Sequence, residues 1–365
     1  MKKLLICTLS LFAFVGLTGC ASEKKLTAEE AKTELNAVAK NTAKAVTSAV
    51  SGSLKLGVSA KGEINNFKGY KTIGEEKTAI FTINQAKAEV KANASLSTAT
   101  DFDNKIIKLG ANGDASVKAS ADIAGMDKKE LDLSAKGKAT AYLKGGNPDG
   151  NFYVDYDATI SEDLAKLANL EKTAYADKLN IIAKDFDMEM PTDEEVENFS
   201  IDFDSFINDW SIFKKKGNKI IADCSDLKAF KIDGDVITIQ DDLAKYGLTL
   251  SVSKFEIGVD KEQRMTSFDF QLGLKGKADF EKMNLSKEDI EDLADMLSGI
   301  VGPSASALAQ MDAVSGTLSV DFKVTLGATF KYTTSTITIP EELTKLTPKT
   351  MAEIMGGGES TPLTD

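Results

Sequence analysis

The sequence predicts an α+β, mostly-β fold: a large curved antiparallel sheet of long strands, half-barrel-like, with helices packed on one face. Three observations lead to it. Apolar and polar residues alternate without interruption over runs such as Leu318 to Tyr332, far longer than an ordinary strand. Clean alternation marks a sheet with one apolar and one solvated face, which is the antiparallel case. No βαβ alternation appears, which removes the two-lobed solute-receptor architecture, since that needs parallel strands and crossover helices.

The chain opens with Met1-Lys2-Lys3, an apolar run from Leu4, and then Leu17-Thr18-Gly19-Cys20. A positive start, a short apolar core and a small-residue cleavage site are the parts of a secretory signal. The run is too short to span a bilayer, which takes roughly 20 residues. The plainer alternative is an ordinary signal, or a buried helix that ends in cysteine. Leu17, Gly19 and Cys20 together resemble the lipobox of bacterial lipoprotein precursors. That resemblance implies cleavage after residue 19 and lipidation of Cys20 with diacylglycerol and palmitate-type chains. It also implies a membrane partner through that anchor, on the extracytoplasmic face of the cell membrane. Lysine outnumbers arginine heavily, pointing to a low-GC genome and a single-membrane envelope, with an outer membrane as the alternative.

Residues 1–19 are therefore read as signal, 20–26 as tether, 27–350 as a single large domain and 351–365 as a flexible tail. Two halves, 27–160 and 211–345, repeat a plan of helix then long strands, joined by an acidic helical segment, 161–210. Without the signal the balance is 42 basic against 56 acidic residues, a net charge of −14. Such a surface repels nucleic acid and anionic lipid headgroups alike, so no nucleic-acid partner is expected and polyanion binding is disfavoured. Histidine is absent, Arg264 is the single arginine, and Cys224 is the only cysteine beyond Cys20 in the domain. The commonest general base, bidentate phosphate clamps and an internal disulfide are thereby missing.

Element by element, Thr27-Ala28-Glu29-Glu30 is a capping box opening an amphipathic helix to about Val50. Strands follow from Ser53, with Leu54, Leu56, Val58 and Ala60 in phase, and again over Ala86–Leu96. Ile107 to Ile123 holds one parity through Asn112-Gly113. A two-residue turn there would put the apolar residues on opposite faces, so one long strand is predicted, with room for a bulge at Gly113. Leu131–Leu143 and Phe152–Ile160 continue the sheet. Ser161 starts a helix, and 192–208 reads as another. Short strands 211–221 and 229–239 flank turns at Lys216-Gly217-Asn218 and Asp233-Gly234, and 240–246 reads as one or two helical turns. A phase slip near Ser253-Lys254 marks a bulge between Leu250 and Val259. Phe268–Phe280 returns on even positions, Ser286 to Asp289 caps a helix to Val301, and Leu318–Tyr332 is the last long strand. Ile337 to Leu343 closes the domain.

Candidate chemistry is sparse. Asp185-Phe186-Asp187-Met188-Glu189 starts like a calcium loop but has Met190 and Val196 where glycine and glutamate are needed. Asp101/Asp103 and Asp202/Asp204 are shorter acidic pairs. Two carboxylates suffice for a glycosidase, yet Trp210 is the single tryptophan to serve as a sugar platform. Ser251-Val252-Ser253-Lys254 has Ser-x-x-Lys spacing without supporting motifs. No enzyme, metal or cofactor is predicted. The alanines of the strands' inner face either let a helix or sheet approach closely or leave room for a guest. Phe268, Phe270, Leu272, Phe322, Val324 and Phe330 are the candidate ligand-binding residues, with core as their alternative role.

The helix at Thr27, the long small-residue strands, the inserted helices, the lipobox and the closing Ile337-Thr338-Ile339-Pro340-Glu341-Glu342 segment together resemble the LolA-like lipoprotein-carrier superfamily. That resemblance implies a half-barrel sheltering acyl chains, hence an apolar or lipidic ligand in the concavity of the sheet. Arg264 has no counterpart role in it. The competing expectations are a structural or interaction lipoprotein with a filled core, and a solute receptor of another plan.

Overall fold

The computed structural model describes residues 23–45, 51–145, 149–184, 202–231, 244, 247–283, 285–291, 310–333 and 336–354. Their backbone forms one open antiparallel sheet of twelve strands. The strands are β1 (Glu23–Lys25), β2 (Ser51–Ile73), β3 (Glu76–Asp101), β4 (Ile106–Ile123), β5 (Lys129–Lys144), β6 (Asp149–Ile160), β7 (Ala174–Lys184), β8 (Phe213–Lys216), β9 (Lys219–Ala222), β10 (Leu248–Val259), β11 (Met265–Asp279) and β12 (Ala313–Lys331). Spatially they run β1-β8-β9-β10-β11-β12-β2-β3-β4-β5-β6-β7. The two expected halves are thus two meanders, β2–β7 and β8–β12, fused where β12 pairs with β2. β3 has 26 residues, about 85 Å at 3.3 Å per residue.

Helix α1 (Ala28–Ala45) is set by its cap: Glu30 N donates to Thr27 Oγ1 at 3.2 Å and Thr27 N to Glu30 Oε2 at 2.8 Å. Ala31, Leu35, Val38, Ala39, Thr42 and Ala43 form its buried stripe, and full burial of Leu35 alone contributes roughly 2–3 kcal/mol. The stripe lies on Phe213, Ile220, Phe255, Ile257, Met265 and Phe330, the largest core. Thr42 Oγ1 accepts from Met265 N at 2.8 Å, fixing the helix against β11. A second core closes the far end of β2 and β3, where Phe280, Ile290 and Met311 cover Phe67, Phe81 and Ile83. The segment after β12 crosses to the opposite, polar face, where Ile337 and Leu343, from α3 (Glu341–Thr344), pack on Ile106, Tyr142 and Tyr153.

β4 runs unbroken through Asn112-Gly113 as parity requires, and Gly113 pairs in register with Ala94 and Gly137, so it carries no bulge. The slip near Ser253-Lys254 is present between Val252 and Lys254. Four expectations need correction. Glu23–Lys25 is a strand on β8, so the tether does not extend to residue 26. Among the described residues of 161–210, helix is limited to α2 (Glu162–Leu167), capped by Ser161, and short 3-10 turns, and edge strand β7 follows α2. Asp177 and Lys178 on β7 obscure its alternation, as charge on an edge strand does. The chain from 202 to 212 forms two single 3-10 turns, the second displacing Ser211 and Ile212 from the expected strand 211–221, and a third, 227–229, overlaps the expected strand 229–239 only at Ala229. The tail begins with a helical turn, Met351–Ile354, capped by Thr350 and Glu353. Expected helices at 192–201 and 292–301, the strand residues 232–239 and most of 240–246 lie outside the described residues.

Register at the fusion is pinned by an irregularity between Ser315 and Thr317. Gly316 there has φ +116°, and a Cβ on it would stand 2.8 Å from Phe67 Cα and 2.9 Å from Asn66 O. Gly316→Ala should therefore lower stability by roughly 2 kcal/mol, the cost of a strained backbone, read as a lower urea midpoint with unchanged slope. Gly62→Ala on the same pair of strands, where a Cβ meets nothing within 4 Å, should stay within about 0.5 kcal/mol of the parent.

Candidate functional site: the open part of the apolar sheet face

The registers place one apolar row after another across the sheet. One row reads Phe255, Phe270, Leu326, Leu56, Ala94, Gly113, Gly137 and Ala158 from β10 to β6. Its neighbour reads Val252, Leu272, Val324, Val58, Ala92, Ala115 and Ala135. Side chains shrink from phenylalanine beneath α1 to alanine and glycine on β3–β5. The phenylalanines beneath α1 are covered, whereas the alanines of β3–β5, and a few leucines and valines among them, are open.

On β2–β5 this face is exposed at Leu56, Ala88, Val90, Ala94, Leu96, Ala111, Ala115 and Leu131. Leu56, Leu96 and Leu131 retain 43%, 44% and 43% of their accessible surface. Single exposed leucines need no explanation; here Leu56 and Leu96 are diagonal neighbours on β2 and β3, and Leu131 lies on the same face in the row of Gly62, Ala88 and Ala119. The exposed apolar positions are thus spread over one face, and large exposed apolar patches are candidate binding surfaces. The opposite face is polar and ion-paired across strands, with Lys61–Glu89 at 3.4 Å, Lys118–Asp132 at 2.7 Å and Lys138–Asp157 at 3.4 Å. A shallow depression of about 460 Å³ is lined by the paired charges of Lys61, Glu63, Lys87, Glu89, Lys118 and Asp132 together with Ala88, Ala119 and Leu131.

The six candidate residues divide. Phe330 is 4% exposed, stacks on Tyr332 at 6.1 Å and belongs to the core under α1. Phe268 and Phe270 meet Phe255 edge-on at 5.6 and 6.5 Å, and with Leu272 they border that core. Phe322 and Val324 are half-buried and their rows run on to Ala60 and Val90, and to Val58 and Ala92. The residues that open the face, Leu56, Val90, Leu96 and Leu131, sit among the alternating alanines. Their signal was the excess of apolar strand length over helix available to cover it. Cys20 lies outside the described residues.

The polar candidates have local duties. The Asp101 carboxylate, 5% exposed, accepts from Asn104 N and Nδ2 at 3.0 and 2.8 Å and from Ile337 N at 2.8 Å. It ties the closing segment to the β3–β4 turn. Asp202 caps Asp204 N at 3.0 Å, and Asp204 pairs with Lys32 at 2.8 Å. Lys254 pairs with Asp269 at 3.0 Å. Arg264 clamps the β10–β11 turn: its Nε donates to Asp260 at 2.7 Å and its guanidinium lies 4.5 Å from the Tyr332 ring centre. Burial pushes the Cys224 thiol up to about 11, leaving little reactive thiolate at neutral pH. The run 185–189 lies outside the described residues; among those described, no cluster of three or more acidic, cysteine or histidine side chains is placed to hold a metal ion.

No protein-family model matches the chain, and no curated protein matches it significantly. Among solved structures, the secretin-domain β-barrel of InvG from the Salmonella SPI-1 injectisome NC-base aligns at 8% identity and a TM-score of 0.16. The alignment covers 81% of this chain and 66% of that one, just under two thirds of its length. At that TM-score the likeness carries no argument about fold or function.

The side-chain hydrogen bond from Asn104, with those from Ile337 and Asn104 amides, holds the Asp101 carboxyl below the usual carboxylate range. A depressed folded-state value stabilises above the unfolded value of about 3.9 and is lost as pH falls through the folded one. Asp101→Ala should cost roughly 2–3 kcal/mol at neutral pH, the loss of buried charge-assisted bonds. Denaturant titrations should show this gap constant above about pH 5 and shrinking below about pH 4.

Proposed function

We propose that this protein is a membrane-anchored surface lipoprotein, acylated at Cys20, that shelters an apolar or lipidic ligand on the open part of its sheet face. The observation that carries the ligand reading is the exposure of Leu56, Val90, Leu96 and Leu131 on one sheet face beside a core that is closed under α1. A face of low relief, lined mainly with alanine and glycine on β3–β5, suits flexible acyl chains rather than a rigid polar solute. The opposite face, saturated with cross-strand ion pairs, favours water. The reading needs no cofactor and no catalytic group.

A second reading is a structural or interaction lipoprotein with a filled core, its open face meeting another envelope component. The burial of Phe330 and the packing of Phe268 and Phe270 on Phe255 favour it, because these aromatics are spent on the core.

Domain purified without residues 1–20 should release lipid into organic solvent, detected by mass spectrometry, and should bind a hydrophobic dye. Leu56→Glu combined with Val90→Glu should cut both signals severalfold while leaving stability within about 1 kcal/mol, as expected for exposed positions. Absence of both lipid and dye binding in the parent domain sinks the ligand reading and leaves the interaction reading. Separately, Cys20→Ala should abolish incorporation of labelled palmitate and release the protein from membranes. Retained label or retained membrane attachment contradicts the anchor.

A further inference from the structure

The sheet edge nearest the N-terminus differs from the rest of this acidic chain. In β1 and β8, Lys24 stands opposite Lys215, Lys25 opposite Lys214, and Glu23 opposite Lys216, so five of the six residues are lysines. Three of the pairs are exposed or long, Lys24–Glu30 at 2.8 Å and Lys214 and Lys216 sharing Glu23 at 3.4 and 3.5 Å, while Lys215 makes a part-buried contact to both Glu34 oxygens at 2.8 and 2.9 Å. Asp209 and Asp223 lie within the field of Lys25. Over this edge the 202–212 segment presents Phe206, 59% exposed, and Trp210, whose ring lies 5.7 Å from Lys32 Nζ and 6.1 Å from Phe213. Lys231 Nζ donates to Asp204 O beside them.

An exposed phenylalanine and a partly buried tryptophan near a row of lysines match the composition of a surface that sits at a lipid–water interface. Chain length decides which part of the molecule is brought there. Because Glu23 is already hydrogen-bonded into the sheet, only two residues separate it from Cys20, and three residue steps reach roughly 10 Å. An acylated Cys20 therefore holds this edge at the headgroups, and the domain cannot stand off. Exposed ion pairs contribute little and are screened, so these lysines can exchange their glutamates for lipid phosphates.

We propose that the edge formed by β1, β8 and residues 203–212 is a docking surface for anionic lipid headgroups, seating the sheet on the membrane by that side. The proposal rests on acylation of Cys20.

The full lipidated chain carrying Cys224→Ser would be labelled with a fluorophore at Lys216→Cys or, at the opposite edge, Lys172→Cys. Each would be reconstituted into phosphatidylcholine vesicles with and without phosphatidylglycerol, with a quencher on the headgroups. Quenching at position 216 should exceed that at 172 severalfold, should rise with phosphatidylglycerol and should fall with salt. Adding Lys25→Glu, Lys214→Glu and Phe206→Ser should remove the rise with phosphatidylglycerol, with an unchanged unfolding midpoint. Equal quenching at the two positions, or stronger quenching at 172, overturns the proposal. So does insensitivity to phosphatidylglycerol. Mass spectrometry of the N-terminal peptide separates the two failures: an unmodified Cys20 removes the anchor, whereas an acylated Cys20 without preferential quenching at 216 refutes the docking edge alone.

Discussion

The structure depends on the register between β12 and β2. These strands belong to different meanders, yet they pair from Lys331 opposite Ser51 to Ala313 opposite Tyr70. Side chains alternate with a period of two, so a slip of one residue would put the apolar set of one meander on the same side as the lysines and glutamates of the other. With the observed register, Phe322, Val324 and Leu326 continue into Ala60, Val58 and Leu56, and the apolar face crosses the seam unbroken. The core under α1 and the open face on β2–β5 are two parts of that one surface. Gly316, which no residue with a side chain replaces without strain, is where the register is held.

An open apolar sheet face is ordinarily an aggregation hazard, and this sheet limits the hazard in two ways. Along the rows on β3–β5 the apolar residues are mainly alanine and glycine, each exposing little hydrocarbon, so the cost of leaving the face open is spread thinly. The two sheet edges, where another chain could add by backbone pairing, are also protected. β1 is three residues long and charged. β7 is bonded along its free side by the closing segment, with Lys349 N donating to Asn180 O and Asn180 Nδ2 to Leu346 O. The apolar face thus stays exposed while chain addition at the edges is discouraged.

What was legible in the sequence was local. Parity through Asn112-Gly113 required a single strand and the chain has one; the phase slip before Phe255 required a bulge and the register contains it. Thr27 and Glu30 form their predicted reciprocal cap. The misses are of another kind. Three residues, Glu23-Lys24-Lys25, have no alternation to read and become a strand because β8 supplies a partner. β7 carries charge because its edge position tolerates it. Which apolar residues are covered also escaped local reading, since it depends on where α1 crosses and on the chain returning to β8. Phe330 and Val324 lie on one face of one strand, one buried and the other half-open.

The same geometry constrains how an apolar ligand would enter. Lys24 and Lys215, on the β1–β8 edge, lean toward α1 through Glu30 and Glu34, so the helix stands between that edge and the small-residue part of the face. A ligand approaching from that edge, as the proposed function requires, would have to pass the helix or go around it to reach Leu56 and Val90. Passing beneath α1 would require separating Leu35 and Val38 from Phe213 and Ile257, which are close-packed. Movement along the alanine rows requires no such separation, because the strands run continuously and their side chains present low relief. The row order from phenylalanine to glycine therefore gives the face a direction: closed beneath α1, and increasingly open toward β5.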